Sequence, residues 1–595
     1  MLQGFDETAN PDQGAPRLAA LRARMQAEGL AGFIVPRADA HQGEYVAPRD
    51  ERLSWLTGFT GSAGFAVVLQ DAAGVFVDGR YRVQVRAQVD LAHYTPVDWP
   101  EVLPGPWLRD HLTTGDVGFD PWLHTADEIS LLEAALQGTQ IRLRPSTNLV
   151  DAIWPDQPAP PQGRVFPHPD DLAGESSAAK RARLADSLRA CGQCAAVITL
   201  PDSICWLLNI RGADVPRNPV VQAFAILFDD GRVSLYADAA KFTGVTLGDH
   251  VTLRPPSAFV PALHGLAGPV RVDRATAPLA VAQELEGAGI PVAWGDDPCR
   301  LPKACKTPAE IAATRRAHLR DGAAVVEFLH WLDQQAPKGD LTEIDVVRAL
   351  ERFRTATGQL HDLSFDTICG AGPNGAIIHY RVTHATNRPL GTDTLLLVDS
   401  GAQYPDGTTD ITRTLALGDP GPEAAEAYTA VLRGLIAISR ARFPKGCAGR
   451  DLDALARQFL WSQGRDYDHG TGHGVGAFLS VHEGPQRLSR LSDVPLAPGM
   501  ILSNEPGYYR PGAFGIRLEN LIVVQEAPPL GDNRAQFSFE TLTFAPFDRR
   551  LILPAALAPE ERDWIDGYHG EVLEKLGPLL SPAAKSWARA ACAPL

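Results

Sequence analysis

Five side chains in the last third of this sequence could bind metal: Asp399, Asp410, His473, Glu505 and Glu519. They lie in Leu396-Leu-Val-Asp-Ser-Gly, Thr408-Thr-Asp-Ile-Thr-Arg, His469-Gly-Thr-Gly-His-Gly-Val-Gly, Ser503-Asn-Glu-Pro-Gly and Gly515-Ile-Arg-Leu-Glu-Asn. Four carboxylates and one imidazole make an oxygen-rich set large enough for two divalent cations, and such pairs activate a water for hydrolysis. Brought together without cations, the carboxylates would repel and drive some of their pKa values upward. The combination points to a dinuclear metallohydrolase.

Taken singly, an acidic residue is more often a cap, a turn residue or a surface charge, so the flanking sequence matters. Asp399 closes the apolar run from Leu395 to Val398, and Asp410 lies in a β-branched stretch that reads as the next strand. Continuous strand alternation from Ile516 to Val524 predicts Arg517 and Glu519 on one face, where the arginine could orient the glutamate. His469 and His473 are four apart, but Gly470, Gly472, Gly474 and Gly476 alternate with them. Each glycine costs a helix about 1 kcal/mol. The segment therefore reads as extended, with a glycine face that substrate or another backbone can approach. His379 in Ile377-Ile-His-Tyr and His482 in Val481-His-Glu-Gly-Pro are further imidazoles suited to proton transfer near neutral pH.

With those segments in view, the stretch 370–526 resembles the catalytic domain of aminopeptidase P, the Xaa-Pro aminopeptidases of the pita-bread metallopeptidase group. The resemblance is carried by Gly372-Pro-Asn-Gly-Ala-Ile-Ile-His-Tyr, Asp406-Gly-Thr-Thr-Asp-Ile-Thr-Arg-Thr, the His469 and Val481 segments, Asn504-Glu-Pro-Gly-Tyr-Tyr and Gly512-Ala-Phe-Gly-Ile-Arg-Leu-Glu-Asn. Upstream, Asp39-Ala-His-Gln-Gly-Glu-Tyr, Gly58-Phe-Thr-Gly-Ser-Ala-Gly, Asp78-Gly-Arg-Tyr and Trp206-Leu-Leu-Asn-Ile-Arg-Gly-Ala-Asp-Val extend it over most of the chain, as in the long three-domain cytosolic branch.

The resemblance implies two manganese ions per subunit. Asp399 would hold one metal, Asp410 and Glu519 would bridge both, and His473 with Glu505 would complete the other. It further implies that His379, His473, His482 and Arg80 contact a peptide substrate, that Glu505 shuttles a proton, and that His469 supports the other histidines; Arg517 joins the expected substrate-side group. The implied reaction is release of the N-terminal residue from peptides with proline second, by a hydroxide bridging the metals, in a homodimer. Proline is a distinctive target because its nitrogen carries no hydrogen and its ring fixes the local backbone. The alternatives are a prolidase-type Xaa-Pro dipeptidase, which the two long upstream domains disfavour, and a non-enzymatic peptide-binding pita-bread protein, which has no need of four converging carboxylates.

A formal net charge of -16 leaves no footprint for nucleic acid or anionic membrane. No apolar run approaches the roughly 20 residues of a membrane span, and Met1 to Pro16 lacks the apolar region of a signal peptide, so a cytoplasmic protein is expected. Eight cysteines do not suggest a disulfide framework, and Cys191-Gly-Gln-Cys194, just ahead of an apolar strand, reads as a pair of buried thiols.

The fold class is α/β (α+β): two related creatinase-like α/β domains at 1–153 and 172–306, joined by a proline-rich linker at 154–171, then a pita-bread catalytic domain at 307–550 and a helical tail at 551–595. The first two look like divergent copies, since Ala31-Gly-Phe-Ile-Val-Pro and Phe65-Ala-Val-Val-Leu parallel Ala195-Ala-Val-Ile-Thr-Leu and Phe224-Ala-Ile-Leu-Phe. Thr307, Pro308 and Glu310 predict the N-terminus of a helix running to about Leu332. Leu557, Trp564, Tyr568, Val572 and Leu576 predict one amphipathic helix in the tail.

Overall fold

The upstream repeats form the same sheet twice in a computed structural model, which describes residues 1–595. The first sheet contains β1 (Gly32–Pro36), β2 (Phe65–Leu69), β3 (Ala73–Val77), β4 (Thr95–Asp98), β5 (Thr114–Phe119) and β6 (Gln140–Pro145), in the order β4-β3-β2-β1-β5-β6. The second contains β7 (Ala195–Ile198), β8 (Phe224–Phe228), β9 (Val233–Tyr236), β10 (Val251–Arg254), β11 (Val270–Val272) and β12 (Val292–Trp294), in the matching order β10-β9-β8-β7-β11-β12. In both, the central three strands are antiparallel and the outer pairings parallel. The continuous apolar runs of β2 and β8 are central strands, buried on both faces.

Both sheets belong to one unit, Thr8–Asp170 with Glu175–Arg300; the other unit is Leu301–Leu595 with Met1–Glu7 and Asp171–Gly174. The proline-rich stretch is less free than a linker, because Phe166–Pro167 pairs with Ile210–Arg211 of the second repeat. Cys191 is exposed and Cys194 only partly covered, contrary to the expectation of two buried thiols. Both sit in the turn between the Ser177–Ala190 helix and β7, where only Cys194 packs against the apolar core of the second sheet.

In the other unit, Thr307 accepts from the Glu310 backbone and Glu310 returns a bond to the Thr307 N–H, opening the Pro308–Gln335 helix with the expected cap. A three-stranded antiparallel sheet follows from β13 (Ile368–Ala371), β14 (Thr394–Ser400) and β15 (Ile411–Leu417). A six-stranded sheet is built from β16 (Arg442–Pro444), β17 (Gly472–Gly474), β18 (Glu483–Leu488), β19 (Ile501–Asn504), β22 (Asn520–Ala527) and β23 (Gln536–Thr541), in the order β16-β23-β22-β19-β17-β18; β20 (Gly507–Arg510) and β21 (Phe514–Arg517) form a separate hairpin. The stretch expected to be one strand from Ile516 is therefore two. It breaks at Leu518 and Glu519, where the chain leaves the hairpin for the large sheet and the Glu519 N–H turns to the Thr412 carbonyl of β15, 3.1 Å away.

The tail forms two helices, Pro559–Leu576 and Pro582–Ala591, where one was expected. The second starts because Ser581 caps it and Pro582 occupies its first position. Ile565, Tyr568, Val572 and Leu576 bury into the core of this unit with Tyr428, Phe544 and Phe547. The Tyr568 hydroxyl accepts from the Ala545 N–H at 3.1 Å and from Arg413 Nη2 at 3.0 Å, and donates to the Thr543 carbonyl at 3.1 Å. Removing that hydroxyl leaves buried donors unpaired, so Tyr568→Phe is expected to destabilise the protein by about 1–3 kcal/mol, read as a lower unfolding midpoint. An unchanged midpoint would show that the tail is not integral to the core.

Candidate metal centre

Asp399 is the second-last residue of β14 and Asp410 immediately precedes β15; the two strands pair with Asp399 opposite Thr412. This register brings the carboxylates to the same end of the small sheet. Behind them, the buried Asp321 accepts from Arg354 Nε and Nη2 at 2.8 and 3.0 Å, from the Tyr404 hydroxyl at 2.9 Å and from the Thr409 hydroxyl at 3.0 Å. Arg354 Nη2 also donates to the Ser400 carbonyl at 3.4 Å. One buried ion pair thus braces the residue after Asp399 and the residue before Asp410. Burial opposes ionisation of Asp321, but Arg354 and the donors outweigh it and hold its pKa below the usual carboxylate value.

Glu519 arrives from the break between β21 and β22. Its Oε2 accepts from the Thr412 hydroxyl at 2.8 Å, and its carbonyl accepts from Arg413 Nη1 at 2.6 Å. Arg413 is buried, and its remaining donors go to the Thr412, Ala545 and Pro546 carbonyls, Asn520 and Tyr568. The expected pairing of Arg517 with Glu519 does not form. Because the strand breaks at Leu518, Arg517 is directed to Asp399 Oδ2 at 2.6 Å, with further bonds to the Tyr509 hydroxyl at 2.6 Å and the Ile378 carbonyl at 3.2 Å. At 1% exposure its guanidinium holds Asp399 in place.

His473 is carried by β17. The glycine face of this strand is needed for packing: a Cβ on Gly472 would run into the Ser503 backbone of β19, and one on Gly474 into the Glu483 carbonyl. Another backbone, not substrate, occupies that face. His473 Nδ1 lies 3.0 Å from the Gly474 carbonyl, so it carries the proton and leaves the Nε2 lone pair facing Asp410 Oδ2 at 3.5 Å and Glu505 Oε1 at 3.4 Å. Glu505 follows β19; its N–H donates to the Thr471 carbonyl at 2.8 Å, and Ser503 donates to its Oε1 at 3.0 Å.

The five expected ligand side chains therefore converge, and their donor chemistry fits divalent cations. Asp410, His473 and Glu519 each offer a ligand atom within 4.8 Å of the others. Asp399 Oδ1, Asp410 Oδ1 and Glu519 Oε1 are buried with no hydrogen-bond donor. Such oxygens are costly to leave unpaired, as is an imidazole lone pair aimed at carboxylates. Burial first, then the charges of Asp399 and Glu505, push the Asp410 pKa well above its ordinary value; Glu519 is raised by burial and by Asp410, Glu505 and Asp399. A cation removes this penalty.

Of the other expected residues, His482 stands against His473 with ring centroids 4.2 Å apart. His469 reaches the same neighbourhood through Tyr509: its Nε2 is 2.9 Å from the hydroxyl that Arg517 also contacts. His379 is half-buried, directly after Ile378, whose carbonyl receives the Arg517 bond. Arg80 belongs to the other unit, where Asp78 holds it in a two-pronged ion pair. Tyr509, Thr412, Arg413 and Ser503 went unnoticed in the sequence. The signal for each was its place in a quoted motif: Tyr509 in Asn504-Glu-Pro-Gly-Tyr-Tyr, Thr412 and Arg413 in Thr408-Thr-Asp-Ile-Thr-Arg, and Ser503 at the head of Ser503-Asn-Glu-Pro-Gly.

Residues 312–526 match the model of metallopeptidase family M24, 17–153 and 156–310 each match creatinase/prolidase N-terminal domains, and 536–595 match the C-terminal region of peptidase M24. The chain is 40% identical to a probable Xaa-Pro aminopeptidase P of Neosartorya fischeri, over 99% of this chain and 93% of that one. It is 38% identical to aminopeptidase P2 of Arabidopsis thaliana, over 93% and 84% respectively. A crystal structure of X-prolyl aminopeptidase from Caenorhabditis elegans, described as a cytosolic enzyme with a di-nuclear active site, superposes with a TM-score of 0.92 at 31% identity, covering 98% of this chain and all of that one.

The raised carboxylates make stability depend on pH when metal is stripped. Folded pKa values above the ordinary 3.8 and 4.5 mean that the native state binds more protons than the unfolded one. The contribution of these two groups is then fully present below their ordinary values and is lost as pH rises through the folded values. Thermal unfolding of chelator-treated protein is expected to show a midpoint that drops with pH over this range, and divalent metal is expected to restore it. A chelated protein equally stable across the range would contradict the strained-carboxylate account.

Proposed function

We propose a division of labour among the residues of a known kind of enzyme: the chain belongs to the Xaa-Pro aminopeptidase P family of metallopeptidases. It is a metal-dependent exopeptidase that releases the N-terminal residue from peptides with proline in second position, and it uses two divalent metal ions. The observation that carries the residue assignments is the set of buried carboxylate oxygens without donors beside the His473 lone pair.

Asp399, Asp410, His473, Glu505 and Glu519 would hold the ion pair. When bound, divalent ions lower the pKa of a water toward 7 and polarise the scissile carbonyl. Glu505 has Oε1 committed to Ser503, so we assign proton transfer to Oε2. It takes the proton from the attacking water as oxygen adds to the carbonyl carbon, and delivers it to the proline nitrogen as the C–N bond breaks. His482 and His379 steady the carbonyl oxygen and the leaving side, and His469, tied through Tyr509 to Arg517, supports that wall. Arg80 is assigned to substrate contact. Arg517 orients Asp399.

The oxygen-rich donor set suits manganese, with cellular availability deciding the resident ion. No helix is long and apolar enough to cross a membrane, and we assign the protein to the cytoplasm and to a homodimer. Exposed Trp461 lies under the guanidinium of Arg490, whose chain neighbour Leu491 is also exposed, and we assign this apolar surface to contact with a second copy.

Mass spectrometry of manganese-loaded protein on Arg-Pro-Pro, Arg-Ala-Ala and the dipeptide Ala-Pro is the direct test. Metal-dependent loss of only the first residue of Arg-Pro-Pro is expected; cleavage confined to Ala-Pro would indicate a dipeptidase instead. Glu505→Gln should lower kcat by about 10²- to 10⁴-fold. Asp410→Ala should lose at least one metal equivalent by elemental analysis, and full metal content with unchanged turnover would refute the bridging role.

A further inference from the structure

Glu483 follows His482 in the chain and is used by none of the chemistry above, yet its side chain is fully buried. Its carboxylate is gripped by two buried ammonium groups: Lys306 Nζ pairs with Oε1, and Lys303 Nζ lies 2.9 Å from Oε2. Lys303 and Lys306 are 2% and 5% exposed. One lysine would neutralise a carboxylate. Lys306 bonds one oxygen and Lys303 sets a second positive charge against the other, so the group is held from two sides together with the backbone that carries it.

That backbone is the one presenting His482. Burial alternates along Val481, His482 and Glu483, so the histidine faces the site while the glutamate faces inward to the lysines. Glu483 opens β18 and pairs with Gly474, the residue after His473, at an irregularity in the ladder. The lysine segment is itself immobilised. The Lys306 N–H donates to the Gly499 carbonyl at 3.0 Å, and Cys305 bridges Met500 just before β19, the strand that leads to Glu505. Gly499 has a φ of +88°, and a Cβ there would meet the Lys306 backbone. The 303–306 segment therefore ties the stretch bearing His482 to the stretch bearing Glu505.

We propose that Glu483, clamped between Lys303 and Lys306, is a positioning residue that sets the His482 imidazole for the transition state. The proposal rests on the reading that His482 contacts the substrate, which His482→Ala tests separately. A displaced but intact imidazole binds substrate about as well and reacts more slowly.

Steady-state kinetics of the full-length, manganese-loaded enzyme on Arg-Pro-Pro provide the test. Glu483→Gln should lower kcat by roughly 10- to 100-fold, with KM within about twofold and metal content unchanged. Combined with His482→Ala, it should cause no further loss, because it acts through that side chain. Lys303→Gln leaves the Lys306–Glu483 pair balanced and serves if the first variant does not fold; it should show a smaller kcat loss with the same non-additivity. If His482→Ala is slow while the clamp variants that fold keep wild-type kcat, or if their losses multiply with that of His482→Ala, the clamp is only structural and the proposal fails. If His482→Ala is itself unimpaired, the reading of His482 falls, and the clamp's positioning role falls with it.

Discussion

Repulsion among carboxylates is the constraint around which the catalytic unit is arranged. Asp399, Asp410 and Glu519 are almost fully buried, and Glu505 approaches from β19. Protein donors satisfy one side of the cluster: Arg517 for Asp399, Thr412 for Glu519 and Ser503 for Glu505. Asp399 Oδ1, Asp410 Oδ1 and Glu519 Oε1 are left without donors, and their charges act on one another. Such an arrangement is tenable only if some groups are protonated or cations enter, and the same feature that makes the empty cluster costly makes it a strong ligand for divalent metal.

Holding charges in that geometry requires rigid supports at places where regular structure ends. Asp399 lies near the end of a strand, Asp410 just before one, Glu505 just after one and Glu519 between two. At each of these points a buried arginine or an extra hydrogen bond takes over from the sheet ladder: Arg354 with Asp321 behind the first pair, Arg413 behind Glu519, and the Thr471 carbonyl for Glu505. These cations also offset part of the negative charge, though none coordinates in place of metal. Arg413 links this support to the tail through Tyr568, so the C-terminal helices belong to the architecture that steadies the site.

The histidines divide by how they are held. His473 is fixed by its own strand and the Gly474 carbonyl, and His469 by a chain through Tyr509 to Arg517 and Asp399. His482 comes from a stretch anchored by the residue beside it, on the inward face. The groups proposed to face substrate are thus braced from behind by polar interactions, as a site requiring sub-ångström placement needs.

The candidate ligand residues, the duplicated upstream sheets and the helix cap at Thr307 were legible because each is local: a residue type in a motif, a repeated apolar run, a side chain bonding three residues along. The sequence by itself determined the chemical class of the site, since five metal-binding groups in distinctive segments leave few other uses. What it could not determine was which groups face each other. Continuous alternation put Arg517 beside Glu519, but the chain changes sheets at Leu518 and hands the arginine to Asp399. The glycine face of 470–476 was open to substrate or to another backbone, and two neighbouring strands take it. Tyr568 bonds to Arg413 across 155 residues, and Glu483 to its lysines across about 180. Only the tertiary structure decided these partnerships, because the energy of a buried charge depends on what surrounds it in space, and separation along the chain carries no information about that.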